Sequence, residues 1–404
     1  MSELYELPEG WEWKKLDDFT TIKSGKRVPK GCKLSDEKTP YPYIRVTDFS
    51  DNESIDTSDI KYITEEIYLK IKNYTITDND IYISVAGTIG KTGIIPSELN
   101  GANLTENAVK IVFDNEAYDK RYLLNFTNSI TFMEQVGLAT KTVAMPKLAI
   151  KRLKEVNIPL PPLQEQKRIV AKLDALFEKI DQAIALHQQN IDEAEAFMGS
   201  VLNEVFGELE ERYAKVPLFD VADVARGKSK HRPRNDKKLF GGEYPFIQTG
   251  DVRNANRYIS SHSNTYSEFG LKQSKLWNKG TICMTIAANI GDVAVLDMDS
   301  CFPDSVVGIY SEKNSNEYLY FFLLTLKQQL ESKATTTAQM NINLKVLQTI
   351  GVPLPSIIIQ QKTVIYLDQL STKTEQVKAL QAQKMQSLKD LKASILDRAF
   401  RGEM

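Results

Sequence analysis

The residues able to carry chemistry in this chain form a poor catalytic set. Histidine and cysteine occur three times each, as His187, His231, His262, Cys32, Cys283 and Cys301. None of them has the spacing of a metal site or of a disulfide framework. The sequence also lacks a glycine-rich phosphate loop, a dinucleotide-binding fingerprint and a nucleophile elbow. We therefore expect no active site, no metal and no cofactor bound by this chain.

Basic residues are concentrated in two stretches. Between residues 23 and 38 there are six Lys or Arg residues against Asp36 and Glu37, and between residues 226 and 238 there are seven against Asp236. Such stretches suit the phosphates of a nucleic acid, which supply affinity but carry no sequence information; the alternative is a solvated charged loop. The candidate phosphate contacts are Lys23, Lys26, Arg27, Arg226, Lys228, Lys230, Arg232 and Arg234.

Polar side chains able to read base edges follow each basic stretch. Arg pairs with guanine, and Asn or Gln pairs with adenine, in the major groove of DNA. Asn and Thr are also ordinary turn residues, so the alternative for each position is a purely local role. The candidate base contacts are Arg45, Thr47, Asn103, Thr105, Asn107, Gln248, Thr249, Arg253, Asn254, Thr336, Gln339 and Asn341.

Both groups of candidates lie in a segment that the chain contains twice. YPYIRVTD at residues 41–48 is similar to YPFIQTGD at 244–251, and ISVAGTIG at 83–90 to MTIAANIG at 284–291. IPLP at residues 158–161 is similar to VPLP at 352–355, and we match Gln166-Lys167 to Gln361-Lys362. The order is kept with an offset between 194 and 203 residues, which indicates duplication of a unit of about 200 residues.

Each copy of the unit begins with a segment of mixed secondary structure, at residues 1–157 and 212–351. Short β-type runs are broken by Gly, Asn and Asp, and a helical stretch follows near residues 118–136 and 316–332. The β-type runs lie at residues 43–47, 81–85, 109–113, 281–287 and 306–310. We therefore predict two α+β domains, each with a substantial sheet.

Each domain is followed by a long helix, predicted within residues 158–211 and 352–404. Residues 163–209 contain no proline, and their apolar residues follow a heptad seam with one stutter near Ile180. The second helix carries Leu370, Val377, Leu380, Leu388, Leu391 and Ile395 at compatible spacing. We expect the two helices to pair as an antiparallel coiled coil, with His187 as a packing residue on the seam. The alternative is that each helix packs on its own domain.

Composition limits the class of protein. The chain has 404 residues, 42% of them hydrophobic and 26% charged, and a net charge of −2, which is typical of a globular protein of two or three domains. This near-neutral net charge excludes a uniformly basic protein that coats nucleic acid. No run of 18 apolar residues and no apolar leader occurs, so we expect no contact with a membrane and a cytoplasmic location.

Three motifs together resemble the specificity subunit of type I restriction-modification systems. They are LPEGW at residues 7–11, PLPPLQEQKRIV at 159–170, and LKASILDRAFRGE at 391–403, which is echoed by SVLNEVFGE at 200–208. The resemblance covers essentially the whole chain. One departure is SIII at residues 356–359 in place of PLQE at 162–165, which leaves the start of the second helix open by a few residues.

The resemblance implies a non-catalytic subunit that directs the chemistry of its partners. Each domain would be a target recognition domain for one half of an asymmetric, bipartite target in double-stranded DNA. The helices would fix the spacing of the half-sites and dock two methyltransferase (modification) subunits, which bind S-adenosylmethionine and methylate adenine. Separate endonuclease/translocase (restriction) subunits would use ATP and Mg. Two alternatives remain at this point: a coiled-coil scaffold or adaptor without DNA readout, and an enzyme with unrecognised motifs.

Overall fold

A computed structural model describes residues 4–113, 118–137, 147–287, 290–327, 330 and 343–404. The chain forms two compact units. One is built from two separate segments of the sequence, and the other from the single segment between them. The first unit contains Met1–His187 and Gln383–Met404, and the second contains Gln188–Ala382. The predicted α+β class is confirmed in both.

The described residues of the first unit form three sheets. Its strands are β1 (Glu12–Lys15), β2 (Thr20–Ser24), β3 (Pro42–Ile44), β4 (Lys61–Tyr62), β5 (Thr75–Ile76), β6 (Ile81–Ser84), β7 (Thr92–Gly93), β8 (Ala102–Leu104), β9 (Ala108–Phe113) and β10 (Asn157–Leu160). Its short helices are α1 (Glu65–Ile71), α2 (Lys120–Thr127), α3 (Ile130–Gln135) and α4 (Ile150–Lys154). The sheets have the orders β2-β9-β6-β7, β4-β3-β8-β5 and β1-β10.

The second unit repeats this plan with local changes. Its strands are β11 (Lys215–Pro217), β12 (Asp223–Arg226), β13 (Phe240–Phe246), β14 (Tyr258–Ile259), β15 (Asn264–Tyr266), β16 (Ile282–Thr285), β17 (Val293–Leu296), β18 (Val306–Tyr310) and β19 (Gly351–Pro353). Its short helices are α6 (Leu218–Val221), α7 (Thr249–Asn254), α8 (Glu268–Lys272), α9 (Asn316–Leu324) and α10 (Leu344–Gln348). The sheets have the orders β12-β18-β16-β17-β14, β13-β15 and β11-β19.

The strand order confirms that the two units are copies of one fold. The order β2-β9-β6-β7 of the first unit recurs as β12-β18-β16-β17 in the second, and the pair β1-β10 recurs as β11-β19. In the second unit β14 adds a parallel partner to β17.

Four of the five predicted strands are confirmed, one of them without change and the others with shifts of at most two residues at either end. The fifth, at residues 43–47, is shorter: β3 ends at Ile44, because the Asp48 carboxylate caps a helical turn there and accepts a hydrogen bond from the Arg45 N–H. The helical stretch near 118–136 is two helices, since the Ser129 hydroxyl caps the start of α3.

Two long helices complete the fold, α5 (Leu163–Arg212, 50 residues) and α11 (Ile357–Phe400, 44 residues). Within the first unit, the early part of α5 lies against the late part of α11, where the Lys392 Nζ is 2.9 Å from an Asp181 carboxylate oxygen. Within the second unit, the Lys378 Nζ on α11 is 2.8 Å from the Glu195 carboxylate on α5. The predicted antiparallel pairing is confirmed.

The seam predicted for α5 is confirmed, but the seam predicted for α11 is partly wrong. On α5, Ile169, Leu173, Ile180 and Val201 are buried. On α11, Val377, Leu380 and Leu391 are instead 44%, 49% and 48% exposed. The polar Thr374 is buried on α11, whereas these three apolar residues face outward. Spacing alone does not distinguish buried apolar residues from exposed ones.

The Pro-Leu-Pro boundary is held by the same two side chains in each unit. The Tyr122 hydroxyl donates to the Pro159 carbonyl at 2.7 Å, and the Tyr318 hydroxyl donates to the Pro353 carbonyl at 2.6 Å. A buried glutamine then joins the start of each long helix to the start of a short helix, α2 in the first unit and α9 in the second. This glutamine is Gln166 in the first unit and Gln360 in the second.

The glutamine contacts correct one detail of the repeat. Gln166 accepts from the Asp119 N–H at 2.9 Å and donates to the Pro161 carbonyl at 2.9 Å. Gln360 accepts from the Ser315 N–H at 3.0 Å and donates to the Pro355 carbonyl at 3.0 Å. The equivalent of Gln166 is therefore Gln360 and not Gln361, which is exposed. Two consecutive glutamines in the second copy made the sequence match ambiguous.

Candidate nucleic-acid interface

In the first unit, a short connection between β8 and β9 brings the basic stretch and the polar turn together. The Lys26 N–H donates to the Leu104 carbonyl at 2.8 Å, and the Thr105 N–H donates to the Ile44 carbonyl at 3.0 Å. The basic stretch therefore borders one side of residues 104–107, and the turn that begins at Arg45 borders the other. Two groups of candidates that are separate in sequence form one region.

The second unit repeats this convergence around residues 301–305. The Gly227 N–H donates to the Val306 carbonyl at 2.9 Å, as the Gly25 N–H donates to the Ala108 carbonyl at 3.0 Å. The Ile247 N–H donates to a carbonyl in the same connection, that of Cys301, at 2.8 Å. The basic stretch and the end of β13 thus meet at one segment of backbone.

A glycine at the start of each basic stretch makes this close approach possible. A Cβ at Gly25 would lie 2.0 Å from the Thr105 carbonyl oxygen, and a Cβ at Gly227 would lie 2.2 Å from the Phe302 carbonyl oxygen. Both distances are far below a van der Waals contact, so any side chain would push the basic stretch away from the connection. This packing explains why a glycine stands at the matching position of both basic stretches.

Each basic stretch is tied down by one acidic residue that sequence analysis missed. The Arg27 Nε donates to a Glu106 carboxylate oxygen at 2.5 Å, and the Arg234 Nη2 donates to an Asp304 carboxylate oxygen at 2.8 Å. Burial by itself would raise the pKa of Glu106, but hydrogen bonds from its own backbone, Arg27 and Thr105 outweigh it and lower this pKa. Glu106 and Asp304 lie in equivalent connections of the two units and are 198 residues apart, within the offset of the repeat. This match is the signal that could have identified them.

A capped helical turn presents the first polar candidates in both units. The Asp48 carboxylate accepts the Arg45 N–H at 2.7 Å, and the Asp251 carboxylate accepts the Gln248 N–H at 2.7 Å. The cap fixes the backbone, so the intervening side chains differ freely between the units. Thr47 is exposed on the first turn and Gln248 on the second.

The sequence-predicted candidates differ in exposure. Exposed side chains are those of Lys23, Lys26, Arg27, Thr47, Lys228, Lys230, Arg232, Arg234, Gln248, Arg253 and Asn254. Half-buried side chains are those of Arg45, Asn107, Arg226 and Thr249, and buried ones are those of Asn103 and Thr105. Thr336, Gln339 and Asn341 lie outside the described residues, and so do residues 138–146.

Three of the candidates are engaged inside the first unit. The Arg45 guanidinium contacts the carboxylates of Asp48 and Asp59. The Asn103 side chain is fully buried and donates to the Ile71 carbonyl at 2.9 Å. The Thr105 hydroxyl donates to Glu106 at 3.0 Å. The structure therefore gives Asn103 and Thr105 roles in shaping the region, and it adds no support to base contacts by these two.

A further cation lies beside the second basic stretch. The Ser274 hydroxyl donates to the Lys228 carbonyl at 2.8 Å, which fixes the neighbouring Lys275 next to the stretch. The Lys275 Nζ lies 3.5 Å from the centre of the Trp277 ring, a cation–π contact. Lys275 extends the basic surface beyond residues 226–238 and was not among the sequence candidates.

The described part of the chain contains no cluster of metal-ligating side chains and no helix suited to crossing a membrane. Within it, no three His, Cys, Asp or Glu residues are grouped so that they could hold a metal ion. None of the helices in the described ranges has the length and hydropathy needed to cross a membrane.

Comparison with known proteins identifies relatives along the whole chain. A sequence profile of the family described as type I restriction modification DNA specificity domain matches residues 8–196 and again residues 210–384. The putative type I restriction enzyme MjaX specificity subunit of Methanocaldococcus jannaschii is 26% identical over 382 residues, which cover 88% of this chain and 85% of that protein. The type I restriction enzyme EcoKI specificity subunit of Escherichia coli is 22% identical over 436 residues, which cover 99% of this chain and 90% of that protein.

A solved structure shares the fold. A chain from work on complex assembly and conformational transition of the type I R-M system aligns over 99% of this chain and 100% of its own length. The TM-score is 0.74 and the sequence identity is 23%. The likeness extends over both units and both long helices.

Proposed function

Because this chain belongs to the type I restriction-modification DNA specificity family, we propose that each of its two units reads one half of an asymmetric, bipartite target in double-stranded DNA. The basic stretches contact phosphates, and the polar turns at Arg45 and Gln248 lie at the base edges. Phosphate contacts set position and affinity, whereas base-edge contacts set the sequence that is read.

The observation that carries this proposal is the repeated convergence of three segments in each unit. In each unit a basic stretch and a capped turn meet at a connection that carries an acidic residue, Glu106 in the first unit and Asp304 in the second. The supporting backbone is the same, but the residues at the turn differ: Arg45 and Thr47 in the first unit stand where Gln248 and Gly250, which has no side chain, stand in the second. A common support with different reading side chains accounts for two different half-sites.

The long helices supply the spacing and the docking surface for two methyltransferase subunits in this proposal. Both helices carry large apolar side chains that are exposed in this chain, an arrangement typical of a surface that a partner covers. These residues are Leu186, Phe197, Ile357, Ile358, Ile365, Tyr366, Val377, Leu380 and Leu391. Ile358 and Ile365 are 62% and 59% exposed and lie seven residues apart, so they share one face of α11.

The chemistry of the complex lies in its partners. The methyltransferase subunits bind S-adenosylmethionine and methylate adenine, and the endonuclease/translocase subunits use ATP and Mg to move and cut DNA. This chain directs both activities and binds none of these cofactors itself. The cytoplasm, where the DNA and both cofactors are found, is the proposed location.

A map of methylated adenines in genomic DNA tests the proposal. Cells express the cognate methyltransferase subunit with or without this chain. We expect a new mark in a split, asymmetric motif that requires this chain. The absence of any new mark, with methyltransferase activity confirmed separately, would favour the coiled-coil scaffold, and methyl transfer by the isolated chain would favour the enzyme.

A further inference from the structure

Arg257 of the second unit joins the polar turn to the long helix α11. It lies three residues after Asn254, the last residue of α7, and its side chain is only 19% exposed. Its guanidinium contacts the carboxylates of Glu317 on α9 and Asp368 on α11. Three aromatic rings lie 4.9–5.2 Å from its guanidinium carbon, those of Tyr258, Tyr320 and Phe321.

Glu53 occupies the equivalent place in the first unit. The Glu53 carbonyl accepts the Ile94 N–H at 3.0 Å, and the Arg257 carbonyl accepts the Val295 N–H at 2.8 Å. Ile94 comes directly after Gly93 of β7, which pairs with β6 at Tyr82, and Val295 comes directly after the Ala294 that pairs with β16 at Cys283. The two carbonyls therefore bind the same position of equivalent strands.

The partners of Glu53 are also equivalent to those of Arg257, with one sign reversed. Arg121 lies 3.8 Å from the Glu53 carboxylate and 3.2 Å from that of Asp174 on α5. Arg121 follows Asp119 by two residues, as Glu317 follows Ser315, and these are the residues that bind Gln166 and Gln360. Asp174 and Asp368 each lie eight residues after that glutamine.

Glu53 is held in a conformation that most residues avoid. Its φ is 61°, and it is the one non-glycine residue with positive φ in the described part of the chain. Side chains with a Cβ are disfavoured in this region of φ. Its carboxylate also accepts a hydrogen bond from the Asn128 Nδ2 at 2.8 Å. The strained backbone and the extra bond indicate that the position of this carboxylate is specifically maintained.

We propose that Glu53-Arg121-Asp174 and Arg257-Glu317-Asp368 are charge clamps. Each clamp orients the capped turn of its unit, here called the reading turn, on the long helix that begins in that unit, α5 in the first and α11 in the second. Arg257 and Glu53 are positioning residues for DNA recognition, so this inference rests on the proposed function. The reversed sign also makes the units non-interchangeable. A Glu at the place of Arg257 would face both Glu317 and Asp368, and repulsion between like charges would displace the turn.

Charge reversal in the assembled methyltransferase complex tests the clamps. The variants are Arg257→Glu, Glu317→Arg and the double variant, which reproduces in the second unit the charges of the first. We expect each single variant to lose at least tenfold in discrimination at the second half-site, read as the ratio of cognate to single-mismatch sites methylated. Discrimination at the first half-site should not change, and the double variant should recover. Lys279→Glu, an equal change of charge on the same unit, is the control.

A DNA-free measurement separates this inference from the proposed function. Spin labels at the exposed positions 254 and 373, in a Cys32→Ser background, report the distance between the end of α7 and α11. We expect a narrow distance distribution in the parent, a broad one in Arg257→Glu, and a narrow one in the double variant. If Arg257→Glu does not fold, Arg257→Lys replaces it, since a lysine cannot bridge both carboxylates as a guanidinium does.

The outcomes are distinct. An unchanged distribution in the single variants, or a double variant as broad as the singles, would overturn the clamp even where the split methylation motif is found. Equal loss of discrimination at both half-sites would also overturn it, because a general loss of stability would then explain the effect. A narrow-broad-narrow series without any split motif would support the clamp and reject the proposed DNA function.

Discussion

At the scale of residues, the basic stretches contain two kinds of cation. Arg27 and Arg234 are bound to Glu106 and Asp304, so they hold the stretch in place, and a phosphate would have to compete with these carboxylates for them. Lys228 and Lys230 are exposed, and neither is in an ion pair within the described residues. The charge pattern of the sequence did not distinguish the two paired arginines from the two lysines; the positions of Glu106 and Asp304 do.

We predict that replacing Lys228 and Lys230 with Ala weakens DNA binding by the assembled complex and lowers the magnitude of its salt dependence. Each lost phosphate contact reduces the slope of log K against log salt by about 0.9, so two contacts reduce it by about 1.8. The measurement is fluorescence anisotropy of a labelled duplex between low and moderate salt. Lys279→Ala is the matched control, since Lys279 is paired with Asp297. Parallel slopes for variant and parent would remove the stretch from the interface.

Replacing Glu53 with Gln should change stability in a pH-dependent way. Burial raises the pKa of Glu53, and the positive charge of Arg121 offsets only part of that effect. A carboxyl group with a raised folded pKa contributes stability that is present below its ordinary pKa of 4.5 and is lost as the pH rises through the folded value. The parent carries this loss and the Gln variant does not.

We therefore expect the variant's free energy of unfolding, relative to that of the parent, to increase from pH 4.5 upward until the pH has passed the folded pKa of Glu53. Urea unfolding at a series of pH values measures it. The exposed Glu243→Gln serves as control. A difference that is independent of pH over this range would contradict the assignment.

At the scale of elements, the ends of the long helices are parts of the globular cores. Phe400 on α11 is fully buried in the first unit, with its ring centre 5.2 Å from Tyr122 and 5.1 Å from Phe126. Phe206 on α5 is its counterpart in the second unit, 5.3 Å from Tyr318 and 5.5 Å from Phe322. Each helix thus begins in one unit and ends in the core of the other, which explains the echo between residues 200–208 and 394–403.

Truncating either ring should destabilise one unit and spare the other. Phe400→Ala is expected to lower the free energy of unfolding of the first unit by about 3–5 kcal/mol, and Phe206→Ala to do the same to the second, because each leaves a cavity in a packed core. Hydrogen exchange resolved by peptide measures the two units separately. The two variants are each other's controls, and uniform loss of protection in both units would contradict the separate cores.

At the scale of the whole molecule, duplication accounts for both halves of the proposed target. Both copies of the fold have an aspartate that caps the reading turn, a glycine that lets the basic stretch approach the connection, and a buried glutamine at the start of the long helix. The side chains on the reading turn have diverged. Each long helix contributes residues to both units, at the division between His187 and Gln188 and between Ala382 and Gln383.

We predict that one heptad inserted at each of these two divisions lengthens the gap between half-sites and leaves the half-sites unchanged. Seven residues add about 10.5 Å of helix, which corresponds to about three base pairs of DNA at 3.4 Å each. The methylation map of the variant complex measures the gap. A heptad keeps the phase of the seam, whereas a four-residue insertion changes rise and phase together; it is also expected to change the gap while each half-site stays intact. Altered half-site sequences would contradict the role of the helices as spacers.

The sequence by itself determined the duplication, the α+β class, the two long helices and the family. These are properties of local pattern: a repeat kept in order, a heptad spacing, and motifs at the Pro-Leu-Pro boundary and the C-terminal end. Even the capped turn was present as the repeated Asp48 and Asp251. The basic stretches were visible because charge density needs no knowledge of contacts.

Only the tertiary structure decided which of the candidates face outward and what holds them. Asn103 is buried because β8 is an inner strand of its sheet, and Val377 and Leu391 are exposed although their spacing matches a heptad seam. Arg257 and Glu53 escaped notice because their partners are separated by about 60 to 120 residues in the chain. Contacts between such distant residues depend on how sheets and helices pack, and no local spacing encodes them.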